Sequence, residues 1–159
     1  MAQNENTLPV TKPADLRNTG HVLLVRQSDV LNRIRLALHQ KKYRSHLSIG
    51  VFDFTSEQRL AQTSEDEDED GPWSILYHVT NVDIARKALE ELDLAFSYRK
   101  DTPSAPGTWI LLIDGLATDN WEIFQEYLKD GKDARMYIIA ATSEAAGPWR
   151  TAFDTIIEA

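Results

Sequence analysis

The chain has 159 residues, 42% of them apolar, which suits one globular domain around a single core. It contains no cysteine, which excludes disulfides and thiolate metal sites. The formal net charge is −8, but Glu65 to Asp70 are six consecutive acids, and the other 19 acids against 17 Lys and Arg leave only −2.

Residues 1–19 are polar, include Pro9 and Pro13, and lack the basic-then-apolar order of a signal peptide, so they read as a flexible lead-in to a domain over 20–159. No apolar run approaches the ~20 residues of a membrane span. The expected location is therefore the cytoplasm, with a membrane reached only through a partner.

His21 to Val25 is short, apolar and β-branched, the pattern of a buried strand. Ser28 suits a helix cap, with Val30, Leu31, Ile34, Ala37 and Leu38 on one face. Leu47 to Asp53 is a second strand. An acidic loop over 62–72 follows and ends at Gly71-Pro72. Its carboxylates lack the turn-forming glycine of a calcium loop, so it reads as a solvated, self-repelling segment. Ser74 to Val79 is a third, weaker strand.

Thr80 or Asn81 caps the next helix, whose apolar positions are Val82, Ala85, Ala88, Leu89, Leu92 and Phe96. Arg99 and Lys100 complement the dipole at its C-terminus. Residues 101–107 hold two prolines and a glycine and read as a loop. Trp109 to Asp114 is the strongest strand signal. Thr118 or Asp119 is the expected cap of a helix that turns Trp121, Phe124 and Leu128 inward and stops at Gly131. Met136 to Ala141 is another buried strand. Pro148 fits the first turn of a last helix, with Trp149, Phe153, Ile156 and Ile157 on one face. Strands apolar throughout and separated by helices imply an α/β fold, its mainly parallel sheet covered by helices on both faces.

In such sheets ligands bind beyond the carboxyl ends of the strands. Asp53 and Asp114 both end strands, and an aspartate after four apolar residues can orient Mg²⁺ through water. A phosphate cradle needs glycines, a lysine and a hydroxyl after the first strand. Val25-Arg-Gln-Ser-Asp-Val30 has neither glycine nor lysine, and Asp29 at the helix start repels an anion. The residue after Asp114 is Gly115, which cannot polarise an attacking water. No dinucleotide fingerprint and no receiver-type acidic pair occurs. The histidines, at 21, 39, 46 and 78, lack ligand spacing, so no metal site is expected. Ser28, Ser48, Ser74 and Ser143 lack a nucleophile-elbow context. A basic cluster of Arg33, Arg35, Lys41, Lys42 and Arg44, with His39 and His46, reads as a solvated or partner-docking face. No interleaved aromatics support base stacking there.

Taken in order, these segments resemble the FtsK/SpoIIIE-type P-loop ATPase domain, the family of DNA translocases and of the EccC/EssC ATPases of type VII secretion. Gly20 to Val25 resembles the strand leading into the P-loop, and Val30 to Ile34 the helix after it, with the loop itself deleted. Leu47 to Asp53 resembles the next strand. Tyr77 to Glu90, continuing to Tyr98-Arg99, is similar to a family helix ending in an aromatic-basic pair. Ile110 to Ala117 resembles the Walker B strand, with Gly115 where the family has glutamate. Asp133 to Thr142 resembles the strand that ends in a nucleotide sensor.

The resemblance implies a three-layer RecA-like sheet, truncated at its C-terminus. It makes Asp114 a vestigial Walker B aspartate and names Asp53 and Thr142 as remnants of a nucleotide site. With cradle and glutamate missing, the expectation is no catalytic residue and no cofactor. The implied role is an interaction module whose partner is a P-loop ATPase of the same machine or its substrate. The alternatives are a weak ATP-binding or ATP-hydrolysing DNA translocase domain and a basic-helix DNA contact.

Overall fold

The structure, a computed structural model, describes residues 8–38, 41–43, 46–55, 75–79, 81–144 and 146–158. Six strands, β1 (Val22–Val25), β2 (Leu47–Asp53), β3 (Ile75–Val79), β4 (Thr108–Asp114), β5 (Met136–Thr142) and β6 (Thr155–Glu158), form one sheet. Their order is β3-β2-β4-β5-β1-β6, and every pairing is parallel. The helices are α1 (Leu16–Thr19), α2 (Ser28–Leu38), α3 (Val82–Asp101) and α4 (Gln125–Asp130). The acidic segment 62–72 lies outside the described residues. Among those described, no helix is long and apolar enough to cross a membrane.

Alternation along each strand sends successive side chains to opposite faces. One face carries Leu23, Val25, Phe52, Leu111, Ile113, Ile138 and Ala140 against α3 and α4, through Ala85, Leu89, Leu92, Phe96 and Leu128. The other carries Val22, Leu24, Ile49, Val51, Ile110, Leu112 and Ile139 against Leu31, Ile34 and Leu38 of α2. β4 and β5, flanked by strands on both sides, are buried over nearly their whole lengths, the signature of a parallel sheet in a three-layer α/β fold.

The structure corrects three expectations. The last helix does not form: a 3-10 turn (Arg150–Ala152) leads into β6, which runs parallel beside β1 from Val22↔Thr155 to Val25↔Glu158. The spacing of Trp149, Phe153 and Ile156 fits a helix, but the β-branched pair Ile156-Ile157 finds an open ladder along β1. Asp154 fastens the junction. Its Oδ2 accepts the His21 N–H at 2.9 Å, while the Asp154 and Thr155 N–H groups donate to the His21 carbonyl.

Residues 8–19 are no loose lead-in. Val10 and Leu16 are fully buried in the core layer that includes α2. The helix after β4 starts with a 3-10 turn (Trp121–Phe124) rather than at Thr118 or Asp119. Asn120 closes its entry, accepting from Ala117 N at 2.9 Å and donating to the Gly115 carbonyl at 3.0 Å. For α3 the expected Asn81 cap is present, accepting from Ile84 N at 2.9 Å.

Arg99 does more than complement a helix dipole. Nearly fully buried, it donates to the carbonyls of Ala134 (2.8 Å), Pro106 (2.8 Å) and Gly107 (2.6 Å), tying α3 to the loop before β4 and the turn before β5. Such a fork of donors satisfies carbonyls that no ladder reaches.

His21 is fully buried at the entry to β1. Its Nδ1 accepts from the Ile138 N–H at 3.0 Å, and its Nε2 is buried without a hydrogen-bond partner. Burial pushes its pKa down from 6.5 to about 4, partly opposed by the Asp154 carboxylate. A depressed folded pKa means that the unfolded chain takes up a proton first. The stability it contributes is complete above pH 6.5 and is lost as the pH falls towards 4, by about 2 kcal/mol at pH 5. Urea denaturation at pH 7 and pH 5 reads this loss, and His21→Asn, which keeps an acceptor for Ile138, is expected to flatten it. Leu112 sits mid-strand in β4 with no exposed surface, so Leu112→Ala is expected to cost roughly 2–5 kcal/mol in the same assay at neutral pH.

Candidate functional site

β1 and β5 are neighbours, yet the chain leaves them in opposite directions. α2 carries it from β1 across one face to β2, and the segment with Trp149 and Phe153 carries it from β5 across the other to β6. Such a switch point is where a doubly wound sheet opens a ligand crevice. Here the crevice is bridged by the Arg26 N–H, which donates to the Thr142 carbonyl at 2.8 Å. Only Arg26 and Gln27 separate the end of β1 from the start of α2. Arg26 makes the turn in the left-handed region, at φ 60°.

The short connection brings Ser28, the first residue of α2, over the sheet, and its hydroxyl donates to Oδ1 of Asp114 at 3.2 Å. Asp114 ends β4 in register with Asp53 at the end of β2, and both are buried. They share strand parity with Ile110, Leu112, Ile49 and Val51, which places them on the α2 side. Oδ1 of Asp53 accepts from the Thr55 N–H (3.2 Å) and hydroxyl (2.8 Å). Thr142 has the opposite parity, that of Ile138 and Ala140. Its hydroxyl donates to the Leu116 carbonyl at 2.7 Å and accepts from the Glu144 N–H at 3.1 Å. Of the three residues expected to mark a nucleotide site, Asp53 and Asp114 end neighbouring strands in register and Thr142 is turned away. Ser28, expected as a helix cap, bonds to Asp114.

Gly115 adopts φ 88°, a conformation that side chains strain to reach. A Cβ there would also stand 3.1 Å from Cγ2 of Thr55. A cavity of about 360 Å³ opens beside it, lined by Phe54, Asn81, Val82, Ala117, Asp119 and Asn120. Among the described residues that lining contains no cation and one acid, an environment that disfavours phosphate.

The basic cluster divides. Arg35 is fully buried and does not belong to a docking face. It follows Leu31 and Ile34 and precedes Leu38 on the sheet-facing side of α2, and its Nε lies 3.5 Å from Asn32 Oδ1. Burial pushes its pKa down to about 10. Arg33 is half-buried and Lys42 exposed, with the Lys42 Nζ 5.3 Å from the Tyr43 ring centroid. The Lys41 side chain and Arg44 lie outside the described residues. Among those described, no group of three His, Asp or Glu side chains is placed to hold a metal ion.

No protein-family model matches the chain, and no curated protein matches it. Its fold is similar to that of the cytoplasmic domain of the type VII secretion ATPase EccC of Thermomonospora curvata. The TM-score is 0.60 at 15% identity, and the match covers 80% of this chain and 16% of that one. The chain thus spans about a sixth of that protein and shares its α/β fold.

If Gly115 serves backbone geometry, Gly115→Ala is expected to cost about 1–2 kcal/mol for the left-handed conformation, more where Thr55 cannot yield. Ser28→Ala, which removes one hydrogen bond to Asp114, is expected to cost about 1 kcal/mol. Chemical denaturation of both variants checks these values.

Proposed function

We propose that this chain is a non-catalytic, ATPase-like interaction module of a type VII secretion machine or a related translocase, working in the cytoplasm. The observation that carries this reading is the Ser28 hydroxyl on Asp114, held there by a connection of two residues. In a P-loop ATPase the corresponding hydroxyl and aspartate share a Mg²⁺ ion, and the loop before them wraps the phosphates. Here hydroxyl and carboxylate bond directly, and the backbone donor Arg26 N–H is already engaged by Thr142. The left-handed glycine after Asp114 disfavours a glutamate at that position. The likeness in fold to a secretion ATPase domain supports the class of machine.

A fold of this kind without a phosphate cradle after its first strand retains surfaces for docking. The partner we propose is a P-loop ATPase of the same machine, or the substrate it moves. Arg33 and Lys42 are the described residues of the basic cluster that remain available to it, and a charged face of this kind speeds association in a salt-sensitive way.

The test is a titration of the purified chain with ATP and Mg²⁺, by calorimetry and by phosphate release, repeated with a purified ATPase domain of the same machine. We expect neither binding nor turnover with the nucleotide, and a complex with the ATPase domain that weakens when Arg33 and Lys42 are both changed to Glu. Mg²⁺-dependent turnover abolished by Asp114→Ala would overturn the non-catalytic reading and favour a weak ATPase.

A further inference from the structure

We propose that the chain carries a small-oxyanion site, of the size and charge of inorganic phosphate, at the end of the sheet opposite Asp53 and Asp114. A cavity of about 220 Å³ opens where His46 precedes β2, Thr108 begins β4 and Arg135 precedes β5. Lys12 and Arg17, from the segment entering the domain, line it together with His46 and Arg135. Tyr43 and Tyr137 add phenol rings to the wall. No Asp or Glu belongs to the lining among the described residues. In a chain of net charge −8, three Lys and Arg side chains around one small cavity form a local excess of positive charge.

Arg135 supplies the fixed part of the site. It sits in the left-handed region at φ 55°, where it terminates the 3-10 turn Gly131–Ala134. Its Nη1 donates to the Pro103 carbonyl at 2.8 Å and its Nε to the Gly107 carbonyl at 3.3 Å. Its Nη2 is buried with no hydrogen-bond partner. The Gly107 carbonyl also accepts from Arg99, so two guanidinium groups converge on one neutral oxygen. Coulombic pressure from Arg135 adds to burial in lowering the Arg99 pKa. Asp15, in the same entering segment, offsets part of this excess through its attraction to Lys12. Its Oδ2 accepts from Thr11 N (2.9 Å), Thr11 Oγ1 (3.2 Å) and Lys12 N (3.3 Å).

A dianion seated among these groups would offset the like-charge crowding and give charge-assisted hydrogen bonds to exposed Lys12 and Arg17. An anchored guanidinium with two exposed cations at the rim is a geometry that selects a compact oxyanion over chloride. The site is independent of the closed crevice at the other edge, so its failure and the failure of the proposed function are separable.

The experiment is a phosphate titration of the ¹⁵N-labelled chain at constant ionic strength, with chloride as the balancing ion. We expect saturable shifts confined to the amides around Arg17, Tyr43, His46 and Arg135. The double variant Lys12→Gln/Arg17→Gln changes only exposed side chains and is expected to bind about tenfold more weakly, the loss for two charge-assisted contacts. Arg33→Gln, outside the cavity, is expected to bind like the parent. Shifts that do not saturate, that chloride reproduces, or that persist unchanged in the double variant would overturn the proposal.

Discussion

β4 and β5 meet apolar side chains above and below along nearly their whole length, and that condition governs what the rest of the molecule can do. A strand packed on both faces has no room for an unpaired polar group in its middle. Polar side chains are therefore pushed to its two ends, where the connections begin and the ladder stops. Asp53, Asp114 and Thr142 stand at one end, and Thr108 and Arg135 at or just before the other. The same condition orders the helices. α2 must present Leu31, Ile34 and Leu38 to one face, and α3 must present Ala85, Leu89, Leu92 and Phe96 to the other.

The layers were legible in the sequence because they rest on periodicity. The runs around Leu47, Trp109 and Met136 are apolar without alternation, and only a doubly covered strand tolerates that. What was not legible depends on partners distant in the chain. Trp149, Phe153, Ile156 and Ile157 fit a helical face, and nothing local reveals that β1 offers them a free edge 130 residues earlier. The burial of Val10 and Leu16 is hidden in the same way, since a polar segment with two prolines carries its anchors singly.

At the candidate site, residue types were informative and geometry was not. The absence of glycine and lysine between Val25 and Val30 could be read directly, and so could Gly115 after Asp114. That Ser28 reaches Asp114 could not, because a serine at a helix start has an equally good local use as a cap. Thr142 illustrates the converse. The family resemblance groups it with Asp53 and Asp114, but strand parity turns it to the other face, where Leu116 and Glu144 hold it. Arg35 was assigned to a surface by composition, although its spacing from Leu31 and Leu38 already placed it inward.

The two departures at the crevice are of different physical kinds, which bears on whether one change could open it. The β1–α2 connection is a matter of chain length. Two residues cannot supply the successive N–H groups that wrap a phosphate, whatever side chains they carry. Gly115 is a matter of backbone conformation. Its φ of 88° and the approach of Thr55 penalise any side chain, so a glutamate placed there meets strain before it meets substrate. Removing the Ser28 hydroxyl would take away one hydrogen bond to Asp114 and leave both obstacles in place. Opening this edge to a nucleotide therefore requires an insertion after Val25 together with a rebuilt turn at Gly115, and each insertion-free substitution is expected to alter stability without creating a phosphate site there.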